Sequence, residues 1–430
     1  MTNSVTPALT ARTDRTLIRP NGRSVRYVLA QITAPAARQR HERLPVNLAF
    51  VLDRSGSMSG AKLTLAKRTI AEALDHLVAR DRFSIVVYDD VVDLVVEATA
   101  ATSEAKRDAL ERLEPIVARG STNLSDGWLR GCEQVAAQIQ ADGVNRALLL
   151  TDGLANRGVT DPEGLARHAG ELRARGVSTS TFGVGNDFDE ALLQRMADAG
   201  GGHFYYVHDA ATIRDHITSE VGETLEVVAR SVELDILAPE ELLVEAISPH
   251  AVRSHGARTN VGLGDLVAEQ VVDVVLRLTF TFGDLGRQAG AIVTLRDQDG
   301  VFAADGRAAA AEARLTWTYA TNDENDAQPR DAMVDRAVAN QYAARARQEA
   351  VRLNRAGDFA AARWALEAVA RRIRDYAGND PILRGLARDL EGQVPAFVAP
   401  MAEASRKQIH FASANLARTR DPFGRSIKGR

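Results

Sequence analysis

The sequence predicts a Rossmann-like α/β domain inserted into an antiparallel β-sandwich and followed by an α-helical C-terminal domain. Three observations predict it. Between residues 45 and 228, apolar runs of strand length alternate with amphipathic stretches of helix length, as in a mainly parallel, doubly wound sheet. From 229 to 321 the pattern changes to apolar residues alternating with polar ones, broken by Gly and Asp-Gly turns. From 330 to 419 helical spacing returns. A chain of 430 residues also exceeds what one hydrophobic core holds.

Residues 1–22 are polar and are expected to be flexible. Residues 25–33 (VRYVLAQIT) are rich in β-formers and stop short of Pro35, which predicts a strand. No other strand lies beside it in sequence. It is therefore expected to cross over and complete the sandwich, whose two parts are 23–44 and 229–321. Residues 36–43 form a charged linker. In 45–228, the run 47–52 ends sharply at Asp53 and reads as a buried parallel strand. Leu63, Ala66, Ile70, Leu74 and Leu77 place a helix over 61–78. Strands are expected at 83–88, 91–96, 146–150, 177–184 and 203–207. Helices are expected at 125–139, 162–175, 190–199 and 210–228; Pro162 opens one and Gly200 closes another. The sandwich supplies strands near 232–236, 272–282, 291–295 and 315–319, about six of its own in all. Long helices follow at 333–354 and 359–376, with shorter ones at 382–390 and 401–416. The Gly357 turn with Phe359, Ala362 and Leu366 resembles one tetratricopeptide-type hairpin, but no period repeats.

Composition excludes several classes. Apolar residues make up 45% and charged residues 26%, as in a folded globular protein. The net charge of −4 does not suit a polyanion binder. Cys132 is the single cysteine, so no intrachain disulfide forms and a reducing compartment is expected. The N-terminus lacks a signal-like apolar run and no stretch approaches a membrane span, so the expected location is cytoplasmic. Residues 330–430 carry 19 Lys and Arg against 11 Asp and Glu. Their aromatics sit at core-like helical positions, so a solvated helical surface is expected rather than nucleic-acid binding, with 420–430 a basic, flexible tail.

Three segments carry chemistry. Asp53-Arg54-Ser55-Gly56-Ser57 follows the first buried strand. Thr122 lies in the loop Gly120-Ser121-Thr122-Asn123. Asp152-Gly153 ends another buried strand. In an open α/β sheet such strand ends converge at the switch in strand order. Two carboxylates and three hydroxyls make an all-oxygen set, which suits a hard cation: Mg²⁺, with Mn²⁺ or Ca²⁺ as alternatives. Two aspartates bring the ion close to neutrality. A coordination position left open would accept a carboxylate from outside.

Asp53-x-Ser55-x-Ser57, Thr122 and Asp152-Gly153 together resemble the metal-ion-dependent adhesion site of von Willebrand A domains. The segment from Pro45 to Met58 (PVNLAFVLDRSGSM) is similar to bacterial relatives of inter-alpha-trypsin inhibitor heavy chains. So are Thr181-Phe182-Gly183-Val184-Gly185 and Ala197 through His203-Phe204-Tyr205. The resemblance implies direct ligation by Ser55, Ser57 and Thr122, with Asp53 and Asp152 in support. It implies a non-enzymatic module that captures an Asp or Glu of a partner protein. A magnesium-dependent hydrolase or phosphotransferase is the alternative chemistry. A regulatory subunit of an AAA ATPase or conflict-system complex is an alternative setting.

The remaining polar groups are ambiguous. Ser121 and Asn123 either touch a ligand or shape the loop, and Asn156 is a further rim position. Asp89, Asp90 and Asp93 read as a solvated hairpin turn rather than a second calcium site. The histidines form no HExxH-type pair, and His203 and His208 are expected to cap or pack. Cys132 lies in a helix as a buried structural thiol.

Overall fold

The computed structural model describes residues 8–37, 43–154, 157–209, 212–302 and 311–429. The chain divides into two compact units, Ala37–Val228 and a second made of Met1–Ala36 with Ala229–Arg430.

The discontinuous unit begins with β1 (Leu9–Thr13), β2 (Leu17–Ile18) and β3 (Ser24–Thr33). β1 lies antiparallel on β3, from Leu9↔Ile32 to Thr13↔Val28. Asp14 is buried, and its carboxylate accepts the Tyr27 N–H at 2.9 Å. Residues 8–22, expected to be flexible, are thus held in the sheets by main-chain bonds that their polar side chains do not announce. Residues 1–7 lie outside the described residues.

The continuous unit is a six-stranded sheet. Its strands are β4 (Val46–Asp53), β5 (Arg82–Tyr88), β6 (Val92–Ala100), β7 (Val144–Thr151), β8 (Ser178–Val184) and β9 (Gly201–Val207). They lie in the order β6-β5-β4-β7-β8-β9. Only β6 runs antiparallel to its neighbour. Every residue of β4 is buried, as an unbroken apolar run demands of a strand with neighbours on both sides. The helices are α1 (Ala61–Asp75), α2 (Ser103–Leu113), α3 (Leu124–Ala137), α4 (Pro162–Ala174), α5 (Glu190–Gly200) and α6 (Ile213–Leu225). α1 buries Leu63, Ala66, Ile70 and Leu74, the face that the sequence spacing marks. α2 had no such mark: it buries only Ala109 and Leu113. The helix expected at 210–228 is shorter, because Val227 already belongs to the next strand. From β4 the chain passes to β5 on one side and later to β7 on the other. The carboxyl end of β4 is therefore the switch point of the sheet.

The discontinuous unit resumes with β10 (Val227–Leu237), β11 (Leu243–Ala246), β12 (Ala251–His255), β13 (Arg258–Val267), β14 (Val271–Phe280), β15 (Gln288–Arg296) and β16 (Glu312–Tyr319). With β1–β3 they make sheets ordered β1-β3-β14-β11 and β12-β13-β10-β15-β16-β2. β3 pairs with β14 over ten residues, from Ser24↔Phe280 to Thr33↔Val271, so the early strand does complete the sandwich. Seven strands follow residue 226, against about six expected. The strand positions expected from the sequence omit β11 and the hairpin β12–β13. It turns at Gly256 (φ 55°), and β12 is exposed along its length, so apolar alternation does not reveal it.

Five helices follow: α7 (Asn322–Ala327), α8 (Ala332–Arg355), α9 (Phe359–Tyr376), α10 (Pro381–Gln393) and α11 (Glu403–Ala417). Asp331, Asp358 and Asp380 cap α8, α9 and α10 by accepting first-turn N–H groups. Val334 and Val338 of α8 pack with Tyr27, Leu29 and Val275, joining helices and sandwich in one core. The basic tail is anchored, contrary to expectation. Arg420 is buried, Val271 N–H donates to the Ile427 carbonyl at 2.8 Å, and Gly429 N–H donates to that of Glu269 at 2.8 Å. Among the described residues, no helix is long and apolar enough to cross a membrane.

Candidate metal centre

Register brings the acidic strand ends together. Asp53 stands opposite Tyr88 of β5, and Leu52 opposite Leu150 of β7, so Asp53 borders Thr151 and Asp152. Both carboxylates are fully buried. Asp53 Oδ2 accepts the Thr151 hydroxyl at 2.6 Å, and Oδ1 accepts the Ser55 N–H at 2.7 Å. The chain then turns through one 3₁₀ turn, Gly56–Met58, with Met58 buried beneath it. That turn places Ser55 Oγ 3.1 Å from Ser57 Oγ, and Ser57 Oγ donates to Asp152 Oδ1 at 2.6 Å. The second carboxylate oxygen, Asp152 Oδ2, takes the Lys62 ammonium, which also donates to the Ser57 carbonyl at 3.3 Å.

Thr122 reaches the same place from the loop before α3. Gly56 N–H donates to the Gly120 carbonyl at 3.2 Å, and Arg119 N–H to that of Arg54 at 2.8 Å. Gly153 fits under the loop because it has no side chain: a Cβ there would stand 2.9 Å from Thr122 Oγ1. The five residues Asp53, Ser55, Ser57, Thr122 and Asp152 are thus gathered at one strand-end edge. Of the rim positions, Ser121 is exposed. Asn123 is engaged as the N-cap of α3, its Nδ2 donating to Asp126 at 2.8 Å. Asn156 lies outside the described residues.

The acidic turn at 89–93 is neither solvated throughout nor a bare carboxylate cluster. Asp89 is buried and accepts Arg54 Nε at 3.0 Å and Arg119 Nε at 2.7 Å. Asp93 pairs with the same two guanidinia. Burial alone would raise the Asp89 pKa. The Arg119 hydrogen bond, the Val91 N–H and Arg54 outweigh it and bring the pKa below its usual value. Asp89 also accepts Asn123 N–H on its main-chain carbonyl at 2.8 Å. The turn is a clamp on the loop that presents Thr122. The arginines are remote in sequence, so the clustered charge alone could not show this.

Electrostatics set Asp53 apart. Burial raises its pKa from 3.8 to about 6, the neighbouring Asp152 charge adds to the rise, and the Thr151 and Ser55 hydrogen bonds oppose it. Beneath it the Tyr88 hydroxyl is fully buried, with the Thr151 side chain beside it. Its pKa rises well above 10, first through burial and then through the Asp53 charge. Two buried carboxylates beside three hydroxyls make an oxygen-only donor set that fits a hard divalent ion.

A second titratable cluster lies at the opposite ends of these strands. Ligand atoms of His203, Glu220 and Glu223 fall within 4.8 Å of one another. Glu220 is already compensated: it accepts Arg146 Nη1 at 2.6 Å, Ser180 Oγ at 2.6 Å and the Tyr205 hydroxyl at 2.7 Å. His203 Nδ1 lies 3.2 Å from it. Burial opposes ionisation of Glu220, but Arg146 and His203 outweigh it and hold the pKa well below the usual range. That makes it a structural ion pair. Cys132 is buried, which pushes its thiol up to about 12 and keeps it from acting as a nucleophile.

Comparison with known proteins agrees with the fold and narrows the family. Residues 47–219 match the family described as von Willebrand factor type A domain. The chain is 30% identical to the uncharacterized protein YfbK of Escherichia coli, over 58% of this chain and 45% of that protein. It is 29% identical to human inter-alpha-trypsin inhibitor heavy chain H4, over 39% of this chain and 18% of that protein. The chain therefore spans less than half the length of these relatives. A solved structure, von Willebrand factor type A from Catenulispora acidiphila, superposes with a TM-score of 0.69 at 18% identity, covering 100% of this chain and 99% of that one. The ArnB paralog VWA2 from Sulfolobus acidocaldarius gives 0.64 at 17% identity, covering 99% and 100%. At that identity the likeness is one of fold, and it extends over the sandwich and the helices as well.

Proposed function

We propose, from the match of residues 47–219 to the von Willebrand factor type A domain, that the protein is a metal-ion-dependent binding module for a partner protein, of adhesion or scaffold type. Ser55, Ser57 and Thr122 would hold the ion, with Asp53 and Asp152 supporting it from below. Magnesium suits the hydroxyl-rich set best, with Mn²⁺ or Ca²⁺ as alternatives. The ion supplies an electrophilic position for an outside carboxylate. The partner contributes that Asp or Glu.

The observation that carries this reading is the convergence of two fully buried carboxylates and three hydroxyls on the switch point of the sheet. The surrounding groups support binding over catalysis. Arg54 is committed to Asp89, and Lys62 to Asp152. Among the described residues, the hydrogen bonds of the site carboxylates run to Thr151, Ser55, Ser57 and Lys62. The single buried cysteine fits work in a reducing compartment such as the cytoplasm.

Calorimetric titration of MnCl₂ into the full chain tests the ion: one site per chain is expected, and none in Asp152→Ala. An immobilised array of Asp- and Glu-containing peptides, probed in MgCl₂ and in EDTA, tests the carboxylate. Binding only with metal is expected, and equal binding in EDTA would rule out capture at the ion.

A further inference from the structure

We infer that Lys62 is a resident competitor of the divalent ion: its ammonium and the ion use the same carboxylate of Asp152, and loading the ion displaces the lysine. The inference rests on the metal reading above and deepens it.

Four observations converge. First, both oxygens of Asp152 are engaged within the chain, one by Ser57 Oγ at 2.6 Å and the other by Lys62. The ammonium therefore sits on a residue that the ion needs, and two cations on one carboxylate repel each other. Second, Lys62 stands in the first turn of α1, where the helix dipole disfavours a cation. No acidic residue in that turn offsets it. The placement breaks a local rule, and Asp152 is what compensates it. Third, the two partners differ in freedom. Asp152 is fixed with its side chain 0% exposed, whereas that of Lys62 is 29% exposed and has an open way to solvent. Fourth, little else retains the ammonium. Among the described residues its one other hydrogen bond is to the Ser57 carbonyl, and at Gly185, where φ is 74°, a Cβ would stand 3.6 Å from Nζ.

The consequence is a threshold. A cage with no internal cation fills at a lower metal concentration, because nothing must be displaced first. A cage that must first release its own cation loads only when free divalent ion is abundant enough. Partner capture would then follow the metal supply.

A structural strut makes the opposite prediction. If Lys62 only organised the site, removing it would weaken metal binding. If it competes, Lys62→Met tightens binding. The test is calorimetric titration of MnCl₂ into the full chain at pH 7.5, wild type beside Lys62→Met and Lys62→Arg, with thermal melts of each in EDTA and in excess MnCl₂. The expected Kd of Lys62→Met is lower by about tenfold, the order of one lost hydrogen bond to a charged group. Lys62→Arg, which keeps the cation, stays as weak as wild type or weaker. In EDTA, Lys62→Met melts below wild type because Asp152 has lost its counter-ion, and excess MnCl₂ closes that gap. An unchanged or weaker Kd in a Lys62→Met chain that melts like wild type in excess metal overturns the inference and leaves the metal reading standing. Absence of binding by all three chains overturns the metal reading and this inference with it.

Discussion

Asp53→Asn is expected to stabilise the metal-free protein at neutral pH, although it removes a residue of the site. The folded-state pKa of Asp53 is raised from 3.8 to about 6, chiefly by burial. A raised carboxyl pKa means that the folded chain prefers the protonated form. The Asp53 contribution to stability is therefore full below pH 3.8 and is lost as pH rises through 6. At about 1.4 kcal/mol per pKa unit, the ionised carboxylate costs the fold roughly 3 kcal/mol at pH 7.5. Asparagine is neutral at every pH and keeps the local bonds: Oδ1 accepts the Ser55 N–H, and the amide donates to Thr151 Oγ1, whose own hydroxyl turns to the Gly153 carbonyl 3.5 Å away. For a unit of the size of Ala37–Val228, 1 kcal/mol corresponds to about 2–4 °C, so the variant gains roughly 6–12 °C. Thermal melts in EDTA at pH 7.5 and pH 4 measure it. The gain should appear at the higher pH and vanish at the lower. Saturating MgCl₂ should reverse the order by stabilising wild type alone. A variant that melts below wild type at pH 7.5 in EDTA, or a gap that does not change with pH, would refute the reasoning.

Two further substitutions probe the geometry. Gly153→Ala places a Cβ 2.9 Å from Thr122 Oγ1. The hydroxyl must shift or leave its rotamer at a cost of about 0.5–1.5 kcal/mol, so the Mn²⁺ Kd should weaken about three- to tenfold while the EDTA melt changes little; an unchanged Kd by calorimetry would show that Thr122 Oγ1 is not a ligand. Glu220→Gln leaves buried Arg146 without its anion and should cost about 3–5 kcal/mol in urea unfolding, with metal affinity untouched because the pair lies at the other strand ends. Its depressed pKa also means that the wild-type chain loses this contribution as pH falls from the ordinary 4.5 through the lower folded-state pKa, so the deficit of the variant should shrink in acid. A loss below about 1 kcal/mol at pH 7 would contradict the ion-pair reading.

The five residues of the candidate site are legible in the sequence because their signals are local. Asp53 and Asp152 each terminate an unbroken apolar run, and a run of that kind marks both a buried strand and its polar end. The spacing Asp-x-Ser-x-Ser needs only one turn of chain to bring its oxygens together. Features that depend on distant pairing were not legible. Asp89, Asp90 and Asp93 look like a solvated turn until Arg54 and Arg119, 35 and 30 positions away, are found on the carboxylate of Asp89. β1 carries the sequence LTART, and its place is set by main-chain bonds to β3, which leave no side-chain signature. The tail from 420 reads as flexible by its charge, yet Arg420 is buried and the backbone at 427 and 429 is bonded to residues 271 and 269. Charge in a sequence states a need for a partner without naming it. The same ambiguity surrounds Lys62. Lys62 stands only 5 positions after Ser57, but its meaning depends on Asp152, 90 positions later. Strut and competitor have the same sequence and the same contact. They differ only in the sign of the change in metal affinity when the charge is removed, so the role of this lysine is a thermodynamic property of the site, to be read from binding as well as from contact.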